Sequence, residues 1–170
     1  MARSVDYRST SQHPAEEVYA TMVDPEFLRE RLRRMGGPGA ELLEHRADAE
    51  GARYRLRHGL SSADLPPIVG TLMSGDIVIE RTEEIEREDA GRYRGDVTVH
   101  IHGTPAPASA AGWMRLADID GTGSEFVVHA DVTVKVPLLG GKIEGIVADQ
   151  VRSLLAAETA FTLEWLARQK

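Results

Sequence analysis

The order of the predicted elements makes this an α+β chain: one strand, two short helices, six further strands with no helix between them, and one long terminal helix. Three observations carry that reading. The hydrophobic period changes from two to about 3.6 after the first strand and returns to two near residue 40. From there to residue 136 the chain holds strand signals separated only by turns. Residues 140–170 then carry one unbroken helical stripe. Strands that follow one another without helices predict an antiparallel sheet.

In the first strand Val5, Tyr7 and Ser9 alternate with Ser4, Asp6, Arg8 and Thr10, so one face is buried. His13-Pro14-Ala15-Glu16-Glu17 puts proline at the first helical position with acids in the first turn, and Val18, Tyr19, Met22 and Val23 follow at helical spacing. Asp24-Pro25-Glu26 opens a second helix through Phe27, Leu28, Leu32 and Met35, which Gly36-Gly37 ends. Strands are expected over Glu41 to Ala49, Ala52 to Leu60, Leu72 to Arg87, Arg92 to His102, Ala108 to Ile119 and Glu125 to Val136. Glu88-Asp89-Ala90-Gly91 and Asp120-Gly121-Thr122-Gly123 read as hairpin turns, glycine supplying the positive φ they need. In the last helix Ile143, Val147, Val151, Leu154, Leu155, Glu158, Phe161, Thr162 and Trp165 share one stripe.

A chain of 170 residues that is 42% hydrophobic reads as one domain, 1–170, burying roughly 70% of its unfolded surface. It has no cysteine, which excludes disulfides, thiolate metal sites and cysteine nucleophiles. The N-terminal MARSVDYRST has no apolar core and no segment has the length of a membrane span, so a cytoplasmic location and no membrane insertion are expected. The net charge of −7 disfavours nucleic acid and anionic membrane as main partners. Arg29, Arg31, Arg33 and Arg34 read as the solvated face of a helix.

The element order, the opening His13-Pro14-Ala15-Glu16-Glu17-Val18-Tyr19, the following Asp24-Pro25-Glu26 and the segment Val136-Pro137-Leu138-Leu139-Gly140-Gly141-Lys142-Ile143-Glu144 together resemble the START-like, or helix-grip (SRPBCC), superfamily, which includes polyketide cyclases. The last segment resembles an uncharacterised bacterial branch. The resemblance implies a seven-stranded curved antiparallel sheet around the long C-terminal helix, with a cavity between them. It also implies gating loops, which fall at Ser61 to Gly70 and Gly103 to Pro107.

Strand alternation assigns the faces that look toward the helix: Tyr54, Leu56, His58 and Leu60; Ile77 and Ile79; Val97, Val99 and Ile101; Met114 and Leu116; Phe126 and Val128. Of these, all but Leu60, Ile101 and Leu116 are candidate ligand-binding residues, together with Val147, Val151, Leu154 and Trp165 from the helix. Three polar members stand on apolar faces: Glu158, His58 and Arg81. A buried carboxylate requires a cation or donors, so Glu158 is expected to pair with His58 or Arg81 and to orient an otherwise apolar ligand. His100 and His102 form an H-x-H pair and His129 lies on another strand, but the topology separates them and no metal or cofactor is expected. No G-x-S-x-G, H-E-x-x-H or P-loop motif occurs.

The leading expectation is therefore a binding or carrier protein for a lipid, isoprenoid or polyketide-like molecule rather than an enzyme. One alternative is a cyclase or dehydratase using Glu158 or His58 as acid or base, burial raising the carboxyl pKa toward neutrality. Another is a regulatory or chaperone-associated module that docks through Arg29 to Arg34.

Overall fold

Strand β1 (Arg3–Ser11) leads into helices α1 (Ala15–Met22) and α2 (Pro25–Met35), followed by β2 (Glu41–Ala47), β3 (Gly51–Leu60), β4 (Ile77–Asp89), β5 (Arg92–His102), β6 (Ala108–Ile119), β7 (Gly123–Val134) and α3 (Gly140–Arg168). The computed structural model describes residues 2–61, 67, 77–102, 108–119, 121–136 and 138–168. Residues 72–76, expected to begin the fourth strand, lie outside these. So do the expected gating loops, 61–70 and 103–107, apart from Ser61 and Pro67.

The seven strands form one curved antiparallel sheet in the order β1-β7-β6-β5-β4-β3-β2. Strands β2 through β7 each pair antiparallel with their sequence neighbours, and β1 closes onto β7 with Val5 opposite Ala130 and Tyr7 opposite Val128. Both expected hairpin glycines take the left-handed backbone, Gly91 at φ 69 and Gly121 at φ 89. Two bulges, at Leu42/Glu44 and Arg87/Asp89, add local twist.

Helix boundaries follow from local chemistry. Pro14, expected as the first helical residue, is instead the cap: its ψ of 154 is extended, and proline's fixed φ suits either position. Because Pro14 has no capping side chain, the Ala15 N–H donates to the Asp118 carboxylate at 2.7 Å, from the far end of β6. Asp24 caps α2 by accepting from the Glu26 N–H at 3.0 Å. Strand β7 stops at Val134, short of the expected Val136, because Val134 pairs with the first residue of β6, Ala108, and its N–H donates to the Glu144 carboxylate at 2.8 Å. The second strand ends at Ala47 rather than Ala49 because the Asp48 carboxylate accepts from the N–H groups of Glu50 and Gly51, closing the turn.

Helix α3 lies in the concavity of the sheet. Its C-terminal half joins the larger hydrophobic cluster, where Phe161 stacks on Phe27 with ring centroids 5.4 Å apart and Trp165 meets Phe27 edge-on at 5.5 Å. Its N-terminal half joins Val5, Val132 and Val134 through Ile143 and Ala148. Between these clusters the helix stands off the sheet. The turn after α2 is sewn to β3 at the edge of that gap, the Gly59 N–H donating to the Gly36 carbonyl at 2.8 Å. A Cβ on Gly59 would lie 1.9 Å from the Pro38 carbonyl oxygen, so only glycine allows this approach.

Candidate functional site

The gap is a cavity of about 510 Å³. Strands β3 to β7 supply its floor and the first half of α3 its roof. From one rim, formed by strand ends at Leu60, Ile77, Ile101, Ala108 and Val134, it runs inward to His58, Arg81 and Glu83. It exists because small residues face it where a larger side chain would reach across. Ala108, Ala110 and Ala130 stand on the inner faces of β6 and β7 beneath Ile143, Ile146, Val147 and Val151.

Of the residues expected to contact a ligand, His58, Ile77, Ile79, Arg81, Val97, Val99, Met114, Phe126, Val128, Val147, Val151 and Leu154 line this cavity. Tyr54 and Leu56, although on the same strand face as His58, are buried in the larger hydrophobic cluster beyond the cavity's inner end. Trp165 is more than two helical turns farther along α3 and packs on Phe27 and Phe161 instead. Glu158 is also outside the cavity, behind its inner wall.

That wall is made of charge. Arg81 and Glu83, two residues apart on β4, point to the same side of the sheet. Arg81 Nε and Nη2 both donate to Glu83 Oε1, at 2.9 and 2.6 Å, and Nη1 donates to Glu158 Oε2 at 2.9 Å. Arg31, from α2, brings its Nε to 3.5 Å from the same Glu158 oxygen. All four side chains are buried, Glu83 at 2% exposure and Arg81 at 9%. Two guanidiniums thus face two carboxylates with no net charge, tying α2, β4 and α3 together. On the far side is a small chamber of about 40 Å³, lined by Ser9, Ser11, Ser124 and Thr162 among others. It has room for one or a few waters.

Burial by itself would raise the Glu158 pKa, but Arg31 and Arg81 outweigh it and lower the carboxyl to about 2. This corrects the expectation of a carboxyl raised toward neutrality: Glu158 is a fixed anion, unsuited to general acid catalysis at neutral pH. Burial, then the Arg81 charge, pushes His58 down to about 4, so its imidazole is neutral at pH 7. The Arg81 pKa rises despite burial because Glu158 and Glu83 face it. Burial foremost, with Glu83 adding to it, raises that of Tyr54.

Arg31 corrects a second expectation. Arg29, Arg33 and Arg34 are exposed as a solvated face should be, but Arg31 is only 4% exposed. It falls four residues after Phe27, on the buried stripe of α2 with Leu28 and Leu32. That phase was the available signal. Glu83 had one too, sitting in the inward row Ile77, Ile79, Arg81, Glu83, Ile85. The outward histidines do not converge: His102 on β5 lies 3.8 Å from Glu80 on β4, whereas His129 Nδ1 on β7 is 2.7 Å from Asp6 on the adjoining edge strand β1. Among the described residues no three metal-ligating side chains of the His, Cys, Asp or Glu type come together.

Known proteins share this architecture. A conserved protein of Geobacillus kaustophilus superposes with a TM-score of 0.62 at 17% identity, covering 98% of this chain and 96% of its own. A START superfamily protein of Mycobacterium smegmatis gives 0.52 at 13% identity, covering 96% and 98%. These likenesses establish the START-like helix-grip fold. An uncharacterised protein of Mycobacterium tuberculosis strain H37Rv is 24% identical over 172 residues, covering 98% of both chains. The family described as "Protein of unknown function (DUF2505)" matches residues 6–166, nearly the whole length over which the sheet, the cavity and the charged wall are built, and this chain belongs to it.

Proposed function

We propose that this protein binds and carries an apolar small molecule in the 510 Å³ cavity between the sheet and α3. The observation that supports it is the lining: apolar side chains almost throughout, with His58, Arg81 and Glu83 at the inner end and Gln150 on the roof as the polar groups. The volume lies inside the roughly 300–1,000 Å³ typical of small-molecule sites, which pair apolar walls with a few oriented polar groups. The cavity rim, formed by the strand ends, is open, so a molecule can enter it. The likeness to a START superfamily protein agrees with this reading.

The acid–base alternative loses Glu158, which is ionised and screened from the cavity by Arg81. The docking alternative is weakened: Arg31 is internal, and of the three exposed arginines Arg33 and Arg34 pair with Glu30 at 2.6 and 3.5 Å.

Native mass spectrometry of protein purified from its own host, followed by solvent extraction, tests the proposal. A bound apolar molecule, or saturable uptake of an apolar fluorescent probe by the extracted protein, is the expected result. Protein that carries nothing extractable and takes up no such probe would overturn it.

A further inference from the structure

Leu138 is the most exposed large apolar side chain among the described residues, at 105% of its reference area, and its neighbour Leu139 is exposed at 37%. Leu138 is also the only described non-glycine residue with positive φ, at 68. A bulky L-residue is strained in that conformation and glycine is not. The chain thus holds an apolar side chain outward on a backbone that disfavours it, which packing cannot explain.

The flanking charges identify what it meets. The whole sequence contains three lysines, 135, 142 and 170, and two of them bracket this turn, both exposed. The exposed Arg3 adds a third cation, its guanidinium lying 3.3 Å from where a Cβ on Gly145 would be. The nearest acid in sequence, Glu144, is buried with its carboxylate held by the Val134 N–H. Asp131 and Asp149, both exposed, lie farther off: about 13 Å of extended strand separates Asp131 from Lys135, and about 10 Å of helix separates Lys142 from Asp149. Both spacings exceed the Debye length of about 8 Å at physiological salt, so a surface touching the turn meets cations although the chain as a whole is acidic.

The turn also sits on the cavity rim. Val134 and Val136 before it and Ile143 and Ile146 after it line the cavity.

We propose that Leu138 and Leu139, flanked by Lys135 and Lys142, dock this protein peripherally on an anionic lipid bilayer, the leucines entering the acyl boundary and the lysines meeting lipid phosphates. No helix of the described residues is long and apolar enough to cross a membrane, and none is required: short apolar insertions combined with basic residues suffice for reversible surface binding. Docking in this orientation turns the cavity rim toward the lipid. The inference goes beyond ligand carriage and does not depend on what fills the cavity.

Co-sedimentation of the full chain with vesicles tests it, using phosphatidylcholine alone and equal parts phosphatidylcholine and phosphatidylglycerol. The chain is expected to pellet with the mixed vesicles and far less with phosphatidylcholine alone. Leu138→Gly fits the left-handed backbone and so keeps the fold, which a thermal melt verifies; it should weaken binding to mixed vesicles by about tenfold or more, the effect of losing one inserted leucine. The double substitution Lys135→Gln and Lys142→Gln should remove the preference for the anionic lipid. A chain that stays in the supernatant with both vesicles, binds both equally, or binds unchanged after Leu138→Gly would overturn the proposal.

Discussion

Replacing Glu158 by glutamine keeps the side chain's volume and removes one of the two carboxylates that balance Arg31 and Arg81. Arg81 Nη1, at 2.9 Å, and Arg31 Nε, at 3.5 Å, would then face a neutral amide, leaving Glu83 alone against two buried cations. Two routes give the magnitude. Removing one partner from a buried ion pair costs about 3–5 kcal/mol. Independently, the carboxyl is held at about 2 against an ordinary 4.5, which at about 1.4 kcal/mol per pH unit amounts to about 3 kcal/mol. Because the folded pKa is the lower one, the unfolded chain takes up the proton first. The stabilisation is therefore complete above about pH 4.5 and disappears as the pH falls toward about 2. Urea unfolding followed by tryptophan fluorescence measures it. With a slope of about 2 kcal/mol per molar urea, the Glu158→Gln midpoint should drop by about 1.5 M at pH 7, and the deficit should shrink as both proteins are brought toward pH 3. A midpoint within about 0.2 M of the parent at pH 7, or a deficit indifferent to pH, would refute the placement of an ionised Glu158 between two arginines.

His58 acts at higher pH. Its folded pKa of about 4 lies below the ordinary 6.5, so the unfolded chain binds the proton first and stability should fall by up to about 3 kcal/mol between pH 6.5 and 4; denaturation series on His58→Leu should lack that slope. Ala110→Leu, on the inner face of β6, should occupy cavity space and weaken binding of an apolar fluorescent probe by about tenfold while leaving thermal stability equal or higher; unchanged probe affinity would place the probe elsewhere. Leu138→Gly relieves a positive φ and should raise the melting temperature by about 2–4 °C, the equivalent of about 1 kcal/mol in a chain of this size, as scanning calorimetry would show. Gly59→Ala should destabilise by about 3 kcal/mol or more, because the added Cβ meets backbone at 1.9 Å.

The elements were legible because each rests on local pattern: alternation in the strands, proline and acids at helix starts, glycine at the turns. Misplaced boundaries came from groups distant in sequence. Asp118 satisfies the start of α1 across 103 residues, and no reading of residues 13–17 reveals it. That Glu158 needs a partner is legible because a charge on an apolar stripe must find one, but the choice between His58 and Arg81 is not; Arg81 makes the bond. Arg31 was lost because it was grouped with Arg29, Arg33 and Arg34 by adjacency, whereas helical phase sets it beside Phe27 and Leu28. The cavity itself was implied only by the resemblance: Ala110 and Ala130 carry no local signal of a void, and only the standing distance of α3 from the sheet turns small residues into one.

That distance follows from where the buried charge sits. Hydrophobic attraction is non-directional and would draw α3 onto the alanines of β6 and β7, closing the cavity. Any such movement of α3 relative to β4 would stretch the bond from Arg81 to Glu158, and movement relative to α2 would part Glu158 from Arg31. Separating either buried pair costs several kcal/mol, whereas sliding an apolar contact costs little per atom. The wall of two arginines and two carboxylates therefore fixes the spacing of α2, β4 and α3 at one end, and Glu144 bonded to the Val134 N–H fixes α3 against β7 at the other. Helix α3 is pinned by polar contacts at both ends of the gap and spans it between them. The polar residues of this core thus maintain the shape of the cavity more than they decorate it, which is why the most charged place in the interior adjoins the most apolar one.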